Sequence, residues 1–218
     1  QPQPIAPKAK TIFRNSSMID ENWKVIEKML DKIMQNCMGK GLYNGLVDVL
    51  KGKTITIEFN SGANGAFGKR SEDGSFGITL GKQMESNCLI HEMMHAFQSY
   101  RESTSSYNES TLNAEIETHF VQYLYLRSLK EYSGSKWETR DNTDTRRKSI
   151  KDLNNYIDNN GNLRAGVTES LLNDIIKKKI TPTFEHAGYN NKKGFVYDSI
   201  RPVLDNFKNL REITKNCN

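Results

Sequence analysis

The sequence predicts an α+β fold that is mostly helical, with a small antiparallel sheet packed on the helix carrying His91-Glu92-Met93-Met94-His95. Three observations predict it. Apolar residues recur at helical spacing over most of the chain, one segment near residue 55 alternates in the manner of a strand, and two further short β segments flank a turn just before the motif helix. At 218 residues the chain suits one compact domain. The expected division is an extended N-terminal arm over 1–16, followed by a single domain over 17–218.

The elements follow in order. Residues 1–10 hold three of the five prolines and read as the extended arm. From Ser17 the pattern turns helical, with Trp23, Ile26, Leu30, Ile33 and Met34 on one face as far as the glycines Gly39 and Gly41, which read as a stop. A short helix over 42–50 comes next. Residues 54–59 alternate polar and apolar side chains, as a half-buried strand does. Segments 65–69 and 75–80 flank Glu72-Asp73-Gly74, a favourable hairpin turn. Helices are then expected over 82–101, 111–131, 146–158, 167–179 and 195–209, with loops over 132–145 and 180–194. No internal repeat or low-complexity tract interrupts them.

Composition narrows the function classes. Hydrophobic residues make up 36% of the chain, and the mean hydropathy of −0.70 describes a wet, charged surface. No apolar run approaches the ~18–20 residues that span a bilayer, so no membrane span is expected. A net charge of +5 invites a nucleic-acid reading. The basic runs Arg146-Arg147-Lys148 and Lys177-Lys178-Lys179 lack interleaved aromatics and have acids nearby, so solvated faces are the better account. The three cysteines Cys37, Cys88 and Cys217 permit at most one internal disulfide, and the sequence does not say which. Cys88 would share a helix face with His91, where a buried structural thiol is favoured over a ligand. The chain begins Gln-Pro-Gln-Pro-Ile-Ala-Pro without a methionine. That reads as a mature terminus with its signal peptide removed, hence export to a periplasmic, extracellular or surface-anchored location, although a trimmed chain looks the same.

The chemistry concentrates in one helical turn. His91 and His95, at i and i+4, lie one above the other on a helix face, so their ring nitrogens can converge on one ion about 2.0–2.1 Å away. Glu92 is rotated about 100° from His91, close enough to reach a water held by that ion. Leu89, Ile90, Met93, Met94 and Phe97 surround these groups with apolar surface. Burying two imidazoles and a carboxylate without partners is expensive, and a metal removes that expense. With four histidines in the chain, an accidental match to this pattern has odds of only about 0.5%.

His91-Glu92-Met93-Met94-His95 resembles the motif of the zincin metallopeptidases. The metzincin branch continues with a glycine and a third histidine, where this chain has Gln98 and Arg101. The gluzincin branch instead takes a glutamate from a second helix about twenty residues on, and Glu115 stands there. Glu117 competes with it. The two lie about 200° apart around a helix, so both cannot face one ion. The gluzincin pattern favours Glu115, with a supporting acid four residues later; His119 occupies that place, and its imidazole could still touch His91 or the metal. The likeness covers roughly residues 75–125 and implies a zincin-like fold. It also suggests that segment 75–80 is the edge strand along which a peptide lies.

The resemblance further implies one zinc ion, held by His91, His95 and Glu115, with Glu92 as general base in the hydrolysis of peptide or protein substrates. A Tyr or His donor usually stabilises the oxyanion in such enzymes, and the segment Phe184-Glu185-His186-Ala187-Gly188-Tyr189 supplies His186 and Tyr189 as candidates. Two other readings stay open: a catalytically silent zincin-fold binding protein, and a nucleic-acid-associated HExxH protein. Oligomeric state is not readable.

Overall fold

The computed structural model describes residues 6–60, 62, 66–69, 76–81, 85–102, 111–190, 194–197 and 202–217. The turn at 72–74 and the helix start at 82–84 lie outside them. The chain forms two compact units, residues 1–107 and 108–218, within the span expected as a single domain.

In the first unit, residues 7–14 of the segment expected to be an extended arm form a helix and a short strand. Pro7–Ile12 forms a short helix α1 and Phe13–Arg14 a two-residue strand β1, with Ala9, Ile12 and Phe13 buried. The prolines do not prevent this, because Pro7 sits at the first helical position, where no backbone donor is needed. Glu27 fixes α1 by accepting hydrogen bonds from the Lys8 and Ala9 amides at 3.1 and 2.9 Å.

Helices α2 (Asp20–Met34) and α3 (Cys37–Leu50) follow. Gly39 and Gly41 lie inside α3 rather than ending a helix. The break falls at Gln35-Asn36, where the Asn36 side chain accepts from the Gly39 amide at 2.9 Å and caps α3. Gly39 has a packing reason: a Cβ there would stand 2.1 Å from the Ile33 carbonyl oxygen. Only glycine lets the two helices meet so closely.

Strands β2 (Ile55–Phe59), β3 (Ala66–Lys69) and β4 (Phe76–Leu80) complete a four-stranded sheet in the order β1-β2-β4-β3. This corrects the antiparallel sheet expected from the sequence. β1 pairs parallel with β2, and β2 with β4, in a register that sets Ile57 against Ile78 and Phe59 against Leu80. Only β3 and β4 are antiparallel. The physical reason is connectivity. Helices α2 and α3 carry the chain back to the end from which β1 started, so β2 runs alongside β1 in the same direction, whereas a direct hairpin must reverse. The segments expected at 65–69 and 75–80 therefore pair antiparallel over Ala66–Lys69 and Phe76–Leu80, but within a sheet that is otherwise parallel. β4 is consequently an interior strand, with Gly77, Ile78 and Leu80 buried, and not the edge that the family resemblance suggested. The edges are β1 and β3.

Helix α4 (Ser86–Arg101) packs against α2, α3, β3 and β4, as expected of a sheet laid on the motif helix. Leu89, Ile90, Met93, Met94, Ala96 and Phe97 are at most 1% exposed. Gly45 of α3 makes room for Phe97, whose ring carbon would lie 2.8 Å from a Cβ at that position.

The second unit is built around α5 (Leu112–Ser128), which is buried nearly all round and packs on the helix Thr145–Leu153 and on a 3-10 turn at Val203–Phe207. Two helices occupy segments expected as loops: α6 (Lys136–Thr143) and α9 (Thr181–His186). Both lack an apolar period. Ser135 and Asp144 cap α6 and α7 (Thr145–Leu153) by accepting the Glu138 and Arg147 amides. Helix α8 (Glu169–Ile175) runs through a π turn at Ile176–Ile180 into α9. Pro182, which lacks an N–H and crowds the carbonyl four residues back, accounts for that widening. Helix α10 (Lys208–Thr214) closes the unit. Among the described residues, no helix is long and apolar enough to cross a membrane.

Candidate metal centre

Two helices supply the polar groups. On α4, His91 is half-buried, while Glu92 and His95 are buried. The i, i+4 spacing stacks the two imidazoles edge to face, with ring centroids 4.9 Å apart and planes inclined at 74°. Gln98, one turn beyond and 2% exposed, places its Oε1 3.1 Å from His95 Nδ1.

On α5, Glu115 stands in the first turn, where the helix N-terminus favours a carboxylate. Thr111 occupies the N-cap position without a side-chain bond, and the Leu112 amide donates to the Val196 carbonyl at 2.9 Å instead. The ligand atoms of His91, His95 and Glu115 all lie within 4.8 Å of one another, and this group could hold a metal ion.

Glu117 does something else. Its Oε2 accepts the Asn209 and Leu210 amides at 3.0 and 3.2 Å, and its Oε1 accepts Asn209 Nδ2 at 2.9 Å. It ties the central helix to the start of α10, which is where the 200° separation from Glu115 aims it. The choice that the sequence left open thus falls to Glu115 as the member of the cluster.

His119 lies one turn beyond Glu115, its Nε2 3.9 Å from Glu115 Oε2. Its ring stacks obliquely on Phe184 at 5.1 Å and meets Tyr189 edge-on at 5.9 Å. Tyr189 is thereby brought beside the neighbour of Glu115. His186 is not: it is exposed at the end of α9, with no polar partner among the described residues. Arg146 covers the Phe184 ring at 5.6 Å, and burial lowers its pKa, with the adjacent Arg147 acting the same way.

Sequence reasoning passed over Gln98 as a helper. Its signal was available, since a residue three positions after His95 shares that helix face. The aromatic backing of His119 by Phe184 had no signal, because it depends on α9, which the sequence hid. Cys37 and Cys217 are disulfide-bonded, and Cys88 is in no disulfide.

Compared with protein-family models, curated proteins and solved structures, the chain matches none.

Proposed function

We propose that the chain is a zinc-dependent peptidase of the gluzincin kind, with His91, His95 and Glu115 as ligands and Glu92 as general base. The observation that carries this reading is the convergence of two imidazoles and a carboxylate within 4.8 Å, with a buried glutamate adjoining the first imidazole. Donors of a tetrahedral zinc stand about 3.4 Å apart, so these need to close by at most about 1.4 Å, which side-chain torsions can supply. The donor set also suits zinc, being nitrogen and oxygen with two imidazoles. Three protein ligands leave a position open, which is the composition of a hydrolytic rather than a structural site.

Zinc, when bound, acidifies water and polarises a scissile carbonyl. The chain's own residues do the rest. Glu92 takes the proton of the attacking water and passes it to the departing amine. Tyr189, backed by His119 and Phe184, is better placed than His186 to donate its hydroxyl to the developing oxyanion. The substrate class is a peptide or protein. The disulfide-bonded state of Cys37 and Cys217 supports work in an oxidising, exported compartment.

The test is metal content and hydrolysis in the same preparation. The dialysed chain should carry one zinc by elemental analysis and cleave a fluorogenic peptide library. Glu92→Gln should keep the zinc and lose about 10²–10⁴ in rate. A metal-free wild type, or cleavage by Glu92→Gln at the wild-type rate, sinks the proposal. A zinc-loaded wild type without hydrolysis would favour a silent binding protein on the same frame.

A further inference from the structure

We propose that Arg146 is a specificity-determining residue that binds a carboxylate of the substrate, an inference that rests on the peptidase reading and narrows it. The sequence placed Arg146 in a solvated basic run, but of Arg146, Arg147 and Lys148 only Lys148 is exposed. Arg146 lies half-buried, its guanidinium carbon 5.6 Å from the centre of the Phe184 ring. An aromatic face attracts a cation but supplies no lone pair for its N–H donors. Among the described residues, no oxygen accepts a hydrogen bond from this guanidinium. The acids nearby are committed to other groups. Asp141 accepts from Tyr132 at 2.8 Å and pairs with Arg147 at 3.3 Å, and Asp144 caps α7 through the Arg147 amide at 2.9 Å. A guanidinium stays charged at any working pH, and its planar fork of donors matches a carboxylate bidentately. A neutral carbonyl would meet the donors but leave the charge of a partly desolvated cation without a counterion.

Position makes that carboxylate part of a substrate. Helix α5 carries Glu115 and, one turn on, His119, whose Nε2 is 3.9 Å from Glu115 Oε2. The His119 ring lies 5.1 Å from Phe184, the ring that Arg146 covers. His119 and Arg146 also line one small cavity, together with Gln122 and Tyr123. All of these residues belong to the second unit. Through these contacts the guanidinium stands within about 16 Å of Glu115, a span that four or five residues cover at ~3.5 Å each. The carboxylate is therefore close to the bond cut. It is the C-terminus of a short leaving segment or an acidic side chain a few residues from that bond.

The test compares kcat/KM for one peptide as its free C-terminal acid and as its amide, and for two amidated peptides with Glu or Gln beside the cut. Wild type should prefer the carboxylate member of one pair by about 10–100-fold, and the pair concerned identifies the source. Arg146→Gln should bring that ratio within about twofold of one, and Arg146→Lys, which keeps the charge without the fork, should retain part of it. A merely structural Arg146 would lower thermal stability and slow every peptide alike, leaving both ratios untouched. Binding gives a readout without hydrolysis. N-acetylphenylalanine and N-acetylglutamate α-amide, each against its uncharged amide, are titrated by NMR onto zinc-stripped protein, where no ion competes for the carboxylate. Wild type should bind an acid at least about tenfold more tightly than its amide, and Arg146→Gln should not. Equal binding within both pairs by wild type, or a preference that survives Arg146→Gln, overturns the proposal. Acid-selective binding by a chain that cleaves nothing would fail the peptidase reading alone.

Discussion

At the residue scale, two glutamates two positions apart on one helix divide the labour. Glu115 joins the histidines, while Glu117 is consumed by three hydrogen bonds from Asn209 and Leu210. The proposed function gives them opposite phenotypes. Glu115→Gln should lose most of the zinc at nearly unchanged thermal stability. Glu117→Ala strands buried donors and should destabilise the fold by about 2–4 kcal/mol, retaining zinc below its melting temperature. Calorimetry and elemental analysis on both variants check this, and the reverse pattern would exchange their roles. The i, i+4 histidines and the carboxylate beside them were readable from spacing alone, because a helix fixes which side chains share a face. The decision between Glu115 and Glu117 was not, since nothing local says where α10 begins.

At the element scale, the glycines of α3 show how composition can mislead. Gly39 and Gly41 read as a helix stop because glycine lowers helix propensity. In the fold, Gly39 lies under the Ile33 carbonyl, and proximity outweighs propensity. Gly39→Ala should therefore destabilise by about 1–3 kcal/mol, although alanine is the better helix former. A raised melting temperature in that variant would show that α2 and α3 can separate at no cost. Helix α6 misleads in the opposite sense. Trp137 is its one apolar residue and Asp141 alone is buried, so no apolar period announces it. It is held by its caps and by Asp141, which accepts from Tyr132 at 2.8 Å and pairs with Arg147 at 3.3 Å.

At the scale of the whole molecule, buried phenols set an alkaline limit. Burial raises the Tyr132 pKa, reinforced by its hydrogen bond to Asp141, and burial raises Tyr43 and Tyr100 as well. The folded chain thus holds these protons to a higher pH than the unfolded chain, whose tyrosines titrate near 10. The sign follows: their contribution is fully present below about pH 10 and is lost as pH rises towards the folded values. Melting temperature should be flat on this account up to about pH 10 and fall above it, and Tyr132→Phe should shallow the fall. An identical alkaline slope in that variant would remove Tyr132 from the account.

By itself, the sequence determined the elements whose pattern is local: the motif helix, the strand at Ile55–Phe59, the hairpin segments before α4, and the histidine pair with its adjoining glutamate. Periodicity and turn chemistry act over a few residues, so the chain states them directly. Tertiary structure alone decided the parallel pairing of β1, β2 and β4, the burial of the N-terminal segment, the existence of polar helices, and the partners of Glu115 and Glu117. Those depend on where distant segments return, and a strand's direction or a carboxylate's partner is fixed by that return rather than by its neighbours in sequence.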